Sequence, residues 1–255
     1  MLAAERRQYI LNELYKNKAV AINELAEELG VTTMTIRRDL HLLESQGLLE
    51  KSHGGAVLAE SLVKEATYRN RKLAHVEEKQ HIAKTALSFI ESSMSVYIDA
   101  GTTTYELAEL MAQQHWEDLT VVTNDLSISQ ILSPVRGIDT IMVGGHVDRE
   151  SNSTCGVLAV NMVQCMHFDL CLLGTQAITK DWRIMTANAD KVDVKRACIH
   201  AADQVVLLAD HSKFHKHKLY YIAGLDEINV LVSDYKTKED EFRKLQELGV
   251  DYVLV

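Results

Sequence analysis

The residues best equipped for chemistry stand where short apolar runs end. The run Ser95-Val96-Tyr97-Ile98 stops at Asp99-Ala100-Gly101-Thr102-Thr103-Thr104 and leads straight into a helical pattern. Such a junction can wrap an anion. Glycine lets the chain turn tightly, hydroxyls and free backbone N–H groups donate, and the following helix adds positive potential at its N-terminus. Ordinary capping by threonine is the simpler explanation for one of the three hydroxyls, though not for all. Four more apolar runs end in polar residues: Asn124-Asp125, Gly144-Gly145-His146, Gly174-Thr175 and Asp210-His211-Ser212-Lys213. Each alone is an ordinary strand-to-helix turn, whereas five in one sheet read as a pocket. Lys195 and Lys213 are the cations placed to neutralise an anionic ligand, and either could equally be solvated.

A different chemistry is written near the start. Thr33, Arg37 and His41 share the outer face of one short helical stretch, with Met34 and Arg38 beside them, while Ile36, Leu40 and Leu43 face inward. Arginine binds guanine edges in two-pronged fashion, and threonine serves phosphates or the thymine methyl, so this face suits a DNA major groove. Thr32 or Thr33 also stands where a helix cap is expected.

The elements that must hold these groups follow from apolar spacing. Ile10, Leu11, Leu14 and Tyr15, then Ile22, Leu25, Ala26 and Leu29, form two helical stripes, the second closed by Gly30. With the Arg37 helix they make a helix-turn-helix. Gly47–Lys51 and Ala56–Leu58 read as two strands around Ser52-His53-Gly54-Gly55, the wing of a winged helix. Residues 1–57 hold seven Lys and Arg against eight Asp and Glu, so basic character is confined to the third helix, the N-terminus and the wing. A three-helix interaction module with solvated arginines fits the same pattern.

From residue 77 onward the pattern alternates strand and helix. Strands are expected at 95–99, 119–123, 139–143, 168–173, 204–209, 230–232 and 252–255, with helices at 77–90, 104–113, 126–132, 158–165, 191–201 and 238–248. The fold class is α/β: a winged helix-turn-helix followed by a mostly parallel sheet covered by helices on both faces. Ligands in such sheets bind at the carboxyl ends of the strands, where the polar residues above fall.

Composition narrows the rest. A length of 255 residues allows two domains, and a net charge of −9 argues against a chain coated in nucleic acid. Cys155, Cys165, Cys171 and Cys198 have no CxxC spacing and read as reduced core thiols. No secretory leader or membrane-length apolar run is visible, which implies a cytoplasmic location. HSKFHKHK (211–218) reads as a solvated basic loop, so no metal and no cofactor are expected. No GxSxG, Walker A or HExxH motif occurs.

The stretch VAINELAEELGVTTMTIRRDLHLLESQGLLEKSHGGAVL resembles the DNA-binding domain of DeoR-type bacterial regulators, most specifically in TIRRDLHLLESQG and the wing HGGA. Downstream, DAGTTT, TND, GG, a strand ending in LG, and LADHSKF are similar, in the same order, to that family's sensor domain. The resemblance implies domains at 1–58 and 77–255 joined by a connector at 59–76, with a sensor fold similar to ribose-5-phosphate isomerase. It implies that Thr33 and Thr35, with Arg37 and Arg38, face DNA, and that Lys51, His53 and Gly54 approach its backbone or minor groove. Asp99, Gly101, Thr102, Thr103, Thr104, Asn124, Gly144, Gly145, Gly174, Lys195, Asp210 and Lys213 would line an effector site. Departures are Trp182 and Arg183, expected to narrow that pocket or add an anion contact, and Asp125, whose charge would lie near a phosphate unless it turns away.

The expected function is operator-DNA binding by a homo-oligomeric repressor of carbohydrate or sugar-acid genes, modulated by a phosphorylated sugar or sugar acid. The chain is not expected to be an enzyme. The rival is an isomerase-like enzyme acting on sugar phosphates, with Asp99 or Asp210 and Lys213 moving protons.

Overall fold

The computed structural model describes residues 2–17, 19–45, 48–58 and 67–255. The chain divides into two compact units, Met1–Ala74 and His75–Val255.

The first unit contains α1 (Ala3–Asn17), β1 (Ala19–Ala21), α2 (Ile22–Glu28), α3 (Thr33–Ser45), β2 (Leu49–Ser52), β3 (Gly55–Leu58) and α4 (Tyr68–Leu73). Ile10, Leu14, Leu25, Ile36, Leu40, Leu43 and Leu49 form its core, each nearly or fully excluded from solvent. Removing one such side chain from water is worth roughly 1.5–3 kcal/mol. The turn between α2 and α3 is set by Gly30, at φ +62°. Its N–H bonds the Glu27 carbonyl at 3.3 Å, and the Val31 N–H bonds Ala26 at 3.0 Å. These two bonds close α2 in a left-handed glycine cap, in agreement with the sequence reading.

The wing forms as expected but is not a simple hairpin. β1 adds to β3 as a third antiparallel strand, pairing Ala19 with Val57 and Ala21 with Gly55. Three residues are too short to show alternation, so nothing in the sequence marked β1. Gly47, expected in the wing, and residues 59–66 of the expected connector lie outside the described residues.

The second unit runs α5 (Val76–Leu87), β4 (Ser95–Ile98), α6 (Thr102–Met111), β5 (Leu119–Thr123), α7 (Leu126–Leu132) and β6 (Ile138–Met142). It continues with β7 (His146–Asp148), β8 (Ser153–Cys155), α8 (Val157–Gln164), β9 (Phe168–Gly174), β10 (Ala177–Ile178), β11 (Arg183–Thr186) and α9 (Asp190–His200). It closes with β12 (Ala202–Leu208), β13 (Tyr220–Gly224), β14 (Val230–Ser233), α10 (Glu239–Glu247) and β15 (Asp251–Leu254). A parallel sheet of order β15-β14-β12-β9-β4-β5-β6 forms its middle.

Both faces of that sheet are buried, and successive residues serve opposite layers. Val96, Ile98, Leu170, Leu172, Val206 and Leu208 pack with Ile82 of α5, Leu107 of α6 and Ile128 of α7. Tyr97, Cys171, Leu173, Val205 and Leu207 pack with Val163 of α8, Val194 and Cys198 of α9 and Leu245 of α10. Double burial explains why the strands read as unbroken apolar runs. Two smaller sheets were not expected: the antiparallel β7–β8 hairpin and the antiparallel β10-β11-β13 sheet. No helix among the described residues is long and apolar enough to cross a membrane.

Candidate functional site

The site in the second unit grows from the ends of β4, β5 and β9. β4 and β9 are direct neighbours, pairing Ile98 with Leu172, so Asp99 and Gly174 emerge side by side. The Gly174 N–H donates to Asp99 Oδ2 at 3.0 Å. Lys195, projecting from α9, donates its ammonium to the same carboxylate oxygen and to the Gly174 carbonyl, the latter at 2.8 Å. Both members of the ion pair are buried, Lys195 at 6% exposure and Asp99 at 1%.

β5 contributes the other wall. Asn124 Oδ1 accepts from the Ala100 N–H at 3.0 Å, and its Nδ2 donates to the Thr154 carbonyl at 3.0 Å. One amide thus ties the end of β4 to the β7–β8 hairpin. Thr154 reinforces it: its N–H donates to the Asn124 carbonyl at 2.8 Å and its hydroxyl to Val143 at 2.7 Å. Asp99, Ala100, Asn124, Ser153, Cys155, Lys191, Val194 and Lys195 line the resulting cleft.

Beside this cleft, α6 begins at Gly101. Its first N–H groups have no carbonyl one turn back, which leaves donors and positive potential at the helix start. The Thr104 hydroxyl is used locally, donating to the Gly101 carbonyl at 3.0 Å. Those of Thr102 and Thr103, each 8% exposed, have no partner among the described residues. None of the three therefore caps α6 through its side chain, and Thr104 instead braces the Gly101 carbonyl.

Several expectations need correction. The second cleft cation is Lys191 and not Lys213: Lys191 lines the cleft beside Lys195 at 8% exposure, with Asp148 Oδ2 at 3.8 Å. Burial pushes the Asp148 carboxyl up, but the Ser151 hydroxyl, the Lys191 ammonium and the Glu150 N–H together hold it below the usual range. Trp182 and Arg183 do not narrow the cleft. Trp182 is buried against Phe214, ring centroids 6.4 Å apart, and Arg183 pairs with Asp181 at 3.1 Å. Asp125 turns away, its Oδ1 capping α7 through the Ser127 N–H at 2.8 Å and the Ile128 N–H at 3.2 Å. Gly144 and Gly145 are not among the lining residues. Gly145 is placed where a Cβ would stand 2.6 Å from the Cys155 carbonyl, so its role is to admit the hairpin.

Asp210 and Lys213 pair with each other at 3.4 Å beside His75 and are likewise not among the cleft-lining residues. The histidine-rich segment is not a free loop: His211 Nδ1 lies 2.5 Å from Asp234 Oδ2, and His215 lies 3.0 Å from Glu241. Cys155, Cys171 and Cys198 are buried free thiols, whereas Cys165 is exposed rather than core. Ser153, Thr154 and Cys155 were missed because their signal is a short hairpin folding back toward the strand ends, which has no local period, and Lys191 because it lies in the first turn of α9 and only the packing of that helix brings it to the cleft.

In the first unit, Thr32 caps α3, its hydroxyl accepting from the Thr35 N–H at 3.2 Å and lying 3.0 Å from Thr35 Oγ1. Both hydroxyls are thereby engaged in starting the helix. Thr33, Met34, Arg37, Arg38 and His41 are exposed. No carboxylate among the described residues pairs with Arg37 or Arg38. Asp39 lies on the opposite face and receives Arg6 at 2.6 Å and Arg7 at 3.6 Å. The N-terminal charges therefore lock α1 to α3 instead of adding to a DNA face. In the wing, Lys51, His53 and Gly54 are exposed, and Lys51 is held by Glu44 at 2.6 Å and His41 at 3.0 Å.

A winged helix-turn-helix followed by a parallel-sheet unit with a polar cleft at its strand ends has the make-up of a DNA-binding regulator. The chain matches the DeoR-like helix-turn-helix domain over residues 6–62 and the DeoR C terminal sensor domain over residues 74–235. It belongs to the DeoR family of transcriptional regulators. The HTH-type transcriptional regulator GlpR of Haloferax volcanii is 32% identical over 99% of this chain and 98% of that protein. The glycerol-3-phosphate regulon repressor of Haemophilus influenzae is 31% identical over 89% of this chain and 87% of that one. A solved D-ribose-5-phosphate isomerase aligns with 55% of this chain and 54% of its own at 17% identity and a TM-score of 0.41. A likeness of that size bears on neither ligand nor activity.

Proposed function

We propose that this regulator represses carbohydrate or sugar-acid catabolic genes, and that a small phosphorylated sugar or sugar acid in the cleft alters its grip on the operator. The observation that carries the reading is the buried Lys195 between Asp99 and Gly174, beside the open N-terminus of α6. Two buried ammonium groups, Lys195 and Lys191, favour an anion. The α6 N–H groups with Thr102 and Thr103 suit a phosphate, and Asp99 and Asn124 suit hydroxyls. Repression of a glycerol-3-phosphate regulon by a relative fits a phosphorylated effector.

On the DNA side, Thr33, Arg37, Arg38 and His41 read the major groove while Lys51, His53 and Gly54 meet the backbone or minor groove. One such unit holds one half-site, so operator affinity requires a homo-oligomer, a dimer or a tetramer bridging two operators. Effector coupling of about 1–3 kcal/mol, five- to 150-fold in affinity, is typical of such systems.

The test is a fluorescence titration of the full chain on the DNA upstream of its own gene, at two salt concentrations. It is run with and without a panel of sugar phosphates and sugar acids. Specific, salt-dependent binding weakened by one compound is expected; tighter binding would overturn induction. No specific binding, with turnover of a pentose or hexose phosphate, would favour the isomerase reading.

A further inference from the structure

A second cluster, separate from the cleft lining, brings together groups that bind metal ions. His75 precedes α5, Asp210 and His211 follow β12, and Asp234 follows β14. One ligand atom from each of His75, Asp210 and His211 lies within 4.8 Å of the others. The two imidazoles stand edge to face, centroids 5.0 Å apart at 86°.

Two features favour an ion over a chance grouping. Asp234 contacts His211 twice, accepting its backbone N–H at 2.6 Å and lying 2.5 Å from its Nδ1. A carboxylate only accepts, so Nδ1 must carry the proton, and in the neutral ring Nε2 then keeps the lone pair that coordinates. This is the carboxylate–histidine arrangement that orients metal-binding imidazoles. Asp210 is 1% exposed, and while its Oδ1 accepts from the Ser212 N–H at 2.9 Å, its Oδ2 accepts no hydrogen bond. A buried carboxylate oxygen without a donor is costly unless a cation stands beside it. Lys213 Nζ, 3.4 Å away on a partly exposed side chain, is the cation there now. A lysine is a flexible point charge that can swing out.

We propose that His75, Asp210 and His211 form a binding site for a divalent late first-row transition ion, zinc foremost. Asp234 orients His211, and Lys213 is the resident cation that the metal displaces. Two nitrogens and a carboxylate oxygen suit zinc, and three protein ligands leave a fourth position for water. Magnesium, which prefers an all-oxygen shell, does not fit.

The test is titration of chelator-stripped full chain with Co²⁺ and Zn²⁺, Mg²⁺ serving as control. One ion per chain is expected, with Co²⁺ d–d absorption, no thiolate charge-transfer band, and no response to Mg²⁺. Removing a group that merely supports a metal ligand costs about 10–100-fold in affinity, so His75→Gln and Asp210→Asn should each cost at least that. Lys213→Met should tighten binding, and His217→Ala should leave it unchanged. Operator binding and circular dichroism of each variant report folding separately, so failure here is distinct from failure of the regulator reading. No saturable binding, a thiolate band, or binding that survives the double substitution His75→Gln with Asp210→Asn would overturn the site.

Discussion

Lys195 and Asp99 form a buried ion pair that joins α9 to the carboxyl end of β4, and the Gly174 peptide at the end of β9 bonds both partners. Any anion entering the cleft must compete with Asp99 for that ammonium. Lys195→Met should leave operator affinity intact while shrinking an effector effect of roughly five- to 150-fold to nearly nothing. Operator titrations with and without the effector check this. A full response in the variant would remove Lys195 from the site.

Arg37 and Arg38 stand exposed on α3 with no carboxylate partner among the described residues. Alanine at whichever arginine reads a base should cost about 1–3 kcal/mol and relax specificity at one operator position. If the other meets phosphate, its loss should weaken binding evenly and lower the salt slope by about 1. Affinity measurements across operator variants and salt concentrations separate the two roles. Unchanged binding in both variants would displace α3 as the reading helix.

Asp39, 4% exposed, holds Arg6 and Arg7 against α3. Asp39→Ala strands a mostly buried guanidinium, which should cost about 1–3 kcal/mol. Urea unfolding of the full chain should show a transition moved to lower denaturant. A midpoint equal to that of the parent would mean the pair adds nothing.

Gly145 sits at φ +149°, and a Cβ there would meet the Cys155 carbonyl at 2.6 Å. Gly145→Ala should push the β7–β8 hairpin off the β5 end and loosen Thr154 from Asn124. The expected result is weaker effector response with operator binding kept, since α3 lies in the other unit. Wild-type effector affinity in this variant would show that the hairpin tolerates the shift.

Asp169 accepts the Ser95 N–H and hydroxyl, both at 2.7 Å, and those bonds hold its carboxyl below the usual range. A carboxyl lowered on folding stabilises above its unfolded value, ~3.9, and the contribution is lost as pH falls through the folded value. Asp169→Asn should therefore lower Tm at neutral pH, and the gap to the parent should close in acid. A gap that persists at low pH would assign the loss to packing instead.

The strands of the large sheet were legible because each is buried on both faces and so reads as an apolar run bounded by turn residues. Leu119–Thr123 and Leu126–Leu132 emerge with the very bounds read from the sequence. Asp99 and Asn124 were legible as polar strand endings, and Lys195 as a cation on the helix that follows the fourth strand. Ser153, Thr154 and Cys155 were not, because a three-residue strand such as Ser153–Cys155 has no period to detect, and Lys191 was not, because its place in the cleft depends on how α9 packs.

The sequence by itself determined the two-part make-up and the strand and helix order, since apolar periodicity and local caps act over a few residues, while the family rested on the resemblance of motifs such as TIRRDLHLLESQG and DAGTTT. Only the tertiary structure decided the use of each charge. It set Lys195 against Asp99, 96 positions apart, turned Arg6 inward to Asp39, and drew Asp210 and Lys213 together beside His75. Those assignments depend on which strand lies next to which, and on the demand that every buried charge find a partner.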